Sequence, residues 1–181
     1  MTTEFFTELK EDLKSGATEN GHPFRYFTFA TVGSGRIARL RTVVLRKVDS
    51  DLKLTFYADK RSKKIIHIKE NNNVSLLFYN PDKLFQLRID GVATIIEDEN
   101  TKRDYWNSIG SRSQKEYTSA TAPGSVIENP DTLGYLQKEN HFCAIEIQAF
   151  KIEYLKLRQP THLRVRFSKE GLVWKSDFLA P

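Results

Sequence analysis

Arg41-Thr42-Val43-Val44-Leu45-Arg46 sets two guanidinium groups at the ends of an apolar run. Side chains alternate along an extended chain, so residues 41 and 46 face opposite ways in an ideal strand. One ligand reaches both only if the strand bends, lies at an edge, or meets a second subunit. Arginines solvated at strand ends are the plainer reading. A second cluster is Lys60-Arg61-Ser62-Lys63-Lys64. Ser62 is a favourable N-cap for a helix over 62–70, but cations there oppose the helix dipole. An anion on the free N–H groups, typically a phosphate, removes that conflict; a solvated basic patch is the alternative. No glycine-rich GKS/T pattern occurs, which excludes a P-loop.

Two further strands carry polar rows. In Leu84–Asp90, alternation puts Gln86, Arg88 and Asp90 on one face and Phe85, Leu87 and Ile89 on the other. A polar face on a central strand calls for hydrogen-bonding partners, which a heteroaromatic ring or plain water can supply. In His162-Leu-Arg-Val-Arg-Phe167, His162, Arg164 and Arg166 share a face as a dense cationic row. The four histidines are scattered and the single cysteine, Cys143, has no ligand-spaced companion, so no metal site is expected. Cys143 lies in an apolar strand and reads as core. No residue can be assigned acid–base catalysis from its spacing.

The elements that must position these residues follow from periodicity. Phe5, Phe6, Leu9 and Leu13 make the apolar stripe of a helix over Thr3–Ser15. β-branched and aromatic runs predict strands at 24–32, 37–48, 53–57, 74–79, 84–96 and 142–157, with a hairpin at 163–167 and 172–176. Helices are expected at 62–70 and 98–108, a short one at 132–138, and a hairpin loop at Gly33-Ser34-Gly35. The stretch 111–130 is Ser/Thr/Ala-rich and irregular, with room for one helical turn; loops this long are commonly functional. Many strands with few helices predict an α+β, mainly antiparallel fold with a barrel-like sheet. With 181 residues, no repeat and no linker, one domain over 1–181 is expected.

The chain has 28 Lys+Arg, 23 Asp+Glu and a net charge of +5, which suits an anionic partner without saying which. The absence of a signal-peptide pattern, of any apolar run of ~20 residues, and of a cysteine pair predicts a cytoplasmic protein with no membrane partner.

Taken in order, these motifs resemble the pyridoxamine 5'-phosphate oxidase family of FMN-binding split barrels. The resemblance covers roughly residues 24 to 181. It rests on Arg41–Arg46, Phe56-Tyr57 followed by Arg61–Lys64, Val74–Tyr79 with Gln86-Leu-Arg88, Asp104-Tyr-Trp106 leading to Ser113-Gln114, and the ending Phe178-Leu-Ala-Pro181. It implies a Greek-key split β-barrel with short peripheral helices. It also implies a homodimer with FMN at its interface. Arg41, Thr42, Val43, Val44, Leu45, Arg46, Tyr57, Ala58, Ser62, Lys63, Lys64 and Gln86 would line the FMN site, with Arg166 from the second subunit. Arg41, Ser62 and Lys64 would hold the phosphate; Gln86 and the backbone at 43–44 would meet the flavin ring.

The departures from the family pattern concentrate at the substrate end. The resemblance implies substrate contacts from Arg46, Tyr105, Ser113, His162 and Arg164. However, Ile109 stands where the family has an arginine, and His162-Leu-Arg164 exchanges the residue types of the family's Arg-x-His. Leu155 falls at a flavin-packing tryptophan, and Ala122-Pro123 near a Gln-Ser pair. The expected function is an FMN-dependent oxidoreductase with a diverged site for a small molecule, phosphorylated or not. The alternatives are a genuine pyridoxamine 5'-phosphate oxidase, with Arg112 or Arg164 replacing the missing arginine, and a non-catalytic flavin or haem binder. A nucleic-acid module has no supporting motif.

Overall fold

The computed structural model describes residues 2–181. Helix α1 (Thr3–Thr18) buries Leu9 and Leu13 completely. Its apolar stripe also sets Phe5 5.5 Å from Tyr154 and Phe6 5.0 Å from Phe167. Polar contacts fix its position: Asp12, 4% exposed, accepts from Lys83 at 2.8 Å and faces His22 at 3.5 Å. Glu8 accepts from Tyr154 and Lys156. The buried carboxylate is tolerable because it is paired.

Nine strands form one antiparallel sheet: β1 (Tyr26–Val32), β2 (Ala38–Val44), β3 (Lys47–Val48), β4 (Lys53–Asp59), β5 (Asn73–Asn80), β6 (Phe85–Ile95), β7 (Phe142–Lys156), β8 (Leu163–Glu170) and β9 (Val173–Leu179). Their order is β2-β1-β5-β6-β7-β4-β3, with β8 and β9 extending from β7. The helices α2 (Lys63–Glu70), α3 (Glu99–Asn107) and α4 (Ser111–Lys115) lie in the connections. This is the split barrel that the family resemblance implies.

The expected single strand over 37–48 is two strands, because the chain turns a corner. The Leu45 N–H donates to the Arg25 carbonyl just before β1, and the next N–H, of Arg46, donates to Thr55 on β4. Adjacent amides thus bond to opposite ends of the sheet and join them into a barrel. Inside it Phe27 stacks on Phe78 at 4.8 Å, Phe29 meets Phe56 at 4.8 Å, and Phe24 and Phe85 complete an aromatic hub. Each buried phenylalanine contributes about 1.5–3 kcal/mol by leaving water.

Two other expectations change. Residues 132–138 are not a helix: Ser119 bridges Tyr135, and Leu136 N–H donates to Thr118 O. The segment runs extended against 118–120 and ties the long loop to itself. The strand expected from residue 24 begins at Tyr26, after a 3-10 turn over Pro23–Arg25.

The β6–β7 register shifts at Asp90/Gly91, where Asp90 opposes Lys151 and Gly91 opposes Ala149. Gly91 is required by space. A Cβ there would lie 2.7 Å from Ile147 Cγ2 and 2.8 Å from the Gln148 carbonyl. Gly91→Ala is expected to lower stability by about 1–3 kcal/mol through overpacking, read as a lower urea midpoint with an unchanged slope.

Candidate functional site

The first group of predicted site residues gathers between β2 and α2. Arg41, opposite Phe29 in the β1–β2 register, donates from Nη1 to the Phe29 carbonyl at 3.1 Å and to Thr31 Oγ1 at 2.8 Å. Lys64, in the first turn of α2, donates to Ser62 Oγ at 3.2 Å. Ser62 occupies the N-cap position without capping: its hydroxyl turns back to the Asp59 carbonyl at 2.7 Å. Burial lowers the Lys64 pKa, and Arg41 lowers it further by repulsion; Cys143 and Asp59 oppose this. Burial, then Arg39, lowers that of Arg41. The Asp59 carboxylate is already engaged by Arg61, and neither Arg41 nor Lys64 forms an ion pair among the described residues. Two half-buried cations therefore face each other with no anion between them, a fit for a phosphate. Lys63 is exposed beside them.

Arg61 has another role. It grips Asp59 through Nε and Nη2 at 3.0 and 2.7 Å and also donates to the carbonyls of Ser119, Ala120 and Thr121. The guanidinium thereby clamps the long loop to the β4–α2 turn.

The second group lies on the face of β4 away from the barrel core. Tyr57 packs on Phe142 at 5.0 Å and Tyr105 at 5.7 Å, within a cluster that includes Trp106, Tyr117, Ala144 and Ile109. The Arg46 guanidinium lies 5.5 Å from the Tyr57 ring centre, and it partly offsets the burial that raises the Tyr117 pKa. Tyr105 donates to Glu146 Oε1 at 3.0 Å; burial, then that bond, pushes its pKa up to about 12. Ile109 is 7% exposed, so the position that holds an arginine in the resembled family is here part of an apolar core. Ala58, on the inner side of β4, is buried under the first group. Ser113 is half-buried on α4.

The third group lies on the outer face of the sheet. The register aligns Thr42, Thr28, Leu77, Arg88, Glu153, Arg166 and Asp177 in one cross-strand row. Gln86 sits in the adjacent row between Tyr79 and Leu155. Val44 continues that side of β2, whereas Val43 and Leu45 are buried inward. Glu153 binds Arg88 at 2.5 Å and Arg164 at 2.8 Å, with Lys151 at 3.6 Å. Arg166 binds Asp177 at 2.7 Å. Arg164 and Arg166 share a face as expected, but His162 precedes β8 and accepts from the Arg158 N–H in a turn. The cationic row is thus two residues long and largely neutralised by acids.

Among the described residues, Arg46 Nε, His141 Nδ1 and Arg166 Nε are buried side-chain atoms without a partner. Such orphans are costly unless something else satisfies them. Spacing alone could not reveal Tyr117, Glu153 or the Arg61 clamp. Tyr117 stands out only as an aromatic within the Ser/Thr/Ala-rich loop, and the other two depend on cross-strand and cross-loop pairing.

An antiparallel split barrel with an unpaired arginine–lysine couple beside a helix start is the architecture of a phosphate-binding β-barrel protein. A family model described as "Pyridoxamine 5'-phosphate oxidase, FMN-binding domain" matches residues 3–97. The chain belongs to this family, and FMN is its cofactor. Pyridoxamine 5'-phosphate oxidase of Saccharomyces cerevisiae is 26% identical, over 100% of this chain and 84% of its own length. A pyridoxine/pyridoxamine 5'-phosphate oxidase of a Psychrobacter species is 30% identical over 61% of this chain, a match spanning about half (53%) of that protein. Among solved structures, a pyridoxamine 5'-phosphate oxidase-related, FMN-binding protein of Nostoc punctiforme superposes with a TM-score of 0.80 at 21% identity, covering 97% of this chain and 96% of that one. PhzG of Burkholderia lata, in complex with tetrahydrophenazine-1-carboxylic acid, gives 0.80 at 18%, covering 97% and 92%.

The Glu153 cluster makes stability acid-sensitive. Burial pushes the Glu153 pKa up, but Arg164, Arg88 and Lys151 outweigh it and leave the folded value below the ordinary 4.5. A depressed carboxylate pKa stabilises the fold above the unfolded value and loses that contribution as pH falls through the folded one. Stability should therefore fall as pH drops below about 4.5. Glu153→Gln should flatten that part of the profile, measured by urea unfolding from pH 7 to 3.

Proposed function

We propose that this protein is an FMN-dependent oxidoreductase related to pyridoxamine 5'-phosphate oxidase, with a substrate site that no longer grips a phosphate in the family's manner. The unpaired Arg41–Lys64 couple carries the cofactor part of this reading: two desolvated cations, with Ser62 beside them, are arranged for a dianionic phosphate. Backbone at 42–45, together with Tyr57, Ala58 and Lys63, extends that site, and Gln86 supplies a free amide for the ring. When bound, FMN supplies a ring that accepts a hydride and passes the electrons on. The protein holds the phosphate arm, orients the ring and shields it from water.

The substrate part rests on Ile109. Its burial in the aromatic cluster leaves Arg46, beside Tyr57 and Tyr117, and Lys47, over the Tyr105 ring, as cations at that end. Tyr105 has its hydroxyl on Glu146 and Arg164 its guanidinium on Glu153. Arg112 is exposed on α4. The pairing of Arg164 with Glu153 disfavours a genuine pyridoxamine 5'-phosphate oxidase in which Arg164 restores the phosphate grip. Arg46, Tyr105, Ser113, His162 and Arg164 are the substrate contacts that the resemblance implies, and Tyr105 and Arg164 serve as such only by leaving Glu146 and Glu153.

We also assign the 1–181 chain to one FMN-binding domain that works as a two-fold homodimer. The outer face of β1, β2 and β5 exposes Tyr26 (62%), Leu40 (66%), Leu77 (38%) and Tyr79 (50%), an apolar surface of the kind that marks an interface. Arg166, paired with Asp177 within its own chain and carrying an unpartnered buried Nε, is the residue that the partner would deliver to the FMN site in this reading. No described helix is long and apolar enough to cross a membrane. The buried thiol of Cys143 suits a cytoplasmic setting.

The purified protein should show flavin absorbance near ~450 nm that follows FMN on denaturation. Lys64→Ala should weaken FMN binding roughly 10- to 100-fold, the scale of one charge-assisted hydrogen bond. A colourless protein that takes up no added FMN would overturn the site assignment. With oxygen and pyridoxamine 5'-phosphate, the FMN-loaded dimer should form no pyridoxal 5'-phosphate or hydrogen peroxide. Efficient turnover would reject the diverged site in favour of the genuine oxidase.

A further inference from the structure

Behind Arg41 lies a chain of two side chains that the cofactor site itself does not use. Thr31, 1% exposed, accepts from Arg41 Nη1 at 2.8 Å, and its Oγ1 lies 3.0 Å from His67 Nδ1. A guanidinium can only donate, so Thr31 accepts from Arg41. The same hydroxyl meets His67 Nδ1 with its remaining proton or its second lone pair, according to the tautomer of the ring.

His67 is held at both edges. It sits in the middle of α2, and its Cδ2 lies where a Cβ on Gly33 would come within 2.7 Å. The next turn of α2 sends Glu70 to the Ser34 N–H at 2.6 Å, which pins the β1–β2 loop against the helix. The imidazole borders a 250 Å³ cleft shared with Arg39, Lys63 and Glu70. Helix α2 thus supplies Lys64 directly and, one turn later, a brace for Arg41.

We propose that Thr31 and His67 are positioning residues that aim the Arg41 guanidinium at the cofactor phosphate. This rests on the reading of Arg41 and Lys64 as the phosphate site. Arg41 is pushed away by Lys64 and Arg39, and its own acceptors, the Phe29 carbonyl and Thr31, oppose that repulsion from behind. Thr31 is held in this geometry by both contacts of its hydroxyl, and losing the one to His67 leaves a buried polar group to find another partner. The relay is therefore a device for selecting a phosphorylated flavin over an unphosphorylated one.

The test compares FMN and riboflavin binding by flavin fluorescence quenching. Wild-type protein should prefer FMN, and Arg41→Ala should remove most of that preference. Thr31→Val should weaken FMN binding about five- to tenfold, the scale of one hydrogen bond, and leave riboflavin binding within about twofold. Thr31→Ser should restore the wild-type ratio. His67→Leu, on the more accessible helix, should reproduce the valine effect. The double variant should be no worse than either single one, since the residues act in series. An unchanged FMN-to-riboflavin ratio in Thr31→Val and His67→Leu, with Arg41→Ala still losing it, overturns the relay alone. Equal loss of both ligands marks a merely structural role and also overturns it. An unchanged preference in Arg41→Ala overturns the phosphate reading and the relay together.

Discussion

The closure of the barrel at Leu45–Arg46 is the constraint from which the rest follows. One amide bonds to the chain before β1 and the next to β4, so two consecutive peptide units join the two sides of the sheet. Arg41, upstream of this corner, stays in the β1–β2 register and reaches α2. Arg46, at the corner itself, comes under Tyr57 and Tyr117. The two arginines thus keep separate surroundings, Arg41 with Thr31 and Lys64 and Arg46 with Tyr57 and Tyr117. The aromatic hub around Phe27, Phe56 and Phe78 holds the corner in place, because any opening there exposes several rings at once.

The short run Arg61–Lys64 shows how one basic motif divides its tasks. Arg61 is neutralised by Asp59 and holds a loop, Ser62 closes the turn, Lys63 faces solvent and Lys64 faces Arg41. Only one of three cations in the run is therefore left without a counter-charge in a desolvated place. That asymmetry explains why the net charge of +5 says little about the partner. The outer-face arginines are likewise paired with Glu153 and Asp177.

Much of this was legible in the residues. Periodicity marks α1, the long strands and the β8–β9 hairpin because each has one face in the core. The basic helix start points to an anion near 60–64, and that Arg41 joins Ser62 and Lys64 there is what the family resemblance implies. What alternation cannot express is a corner, so 37–48 reads as one strand. Nor can it express the partner across a sheet, so Arg88 and Asp90 read as a row awaiting a ligand when Glu153 and Ser75 already meet them. Residues 132–138 look helical in isolation, yet their backbone groups find better partners in 118–120. His67 carries no signal at all until Thr31 is beside it.

The manner in which Arg61 holds the long loop bears on how such a protein can change over time. Its guanidinium touches main-chain carbonyls at 119–121, not side chains. Every residue type offers the same carbonyl, so substitutions in this stretch leave the anchor intact. The sequence of the loop can therefore change at these positions while its attachment to the β4–α2 turn stays in place, so anchoring and side-chain identity are separable there.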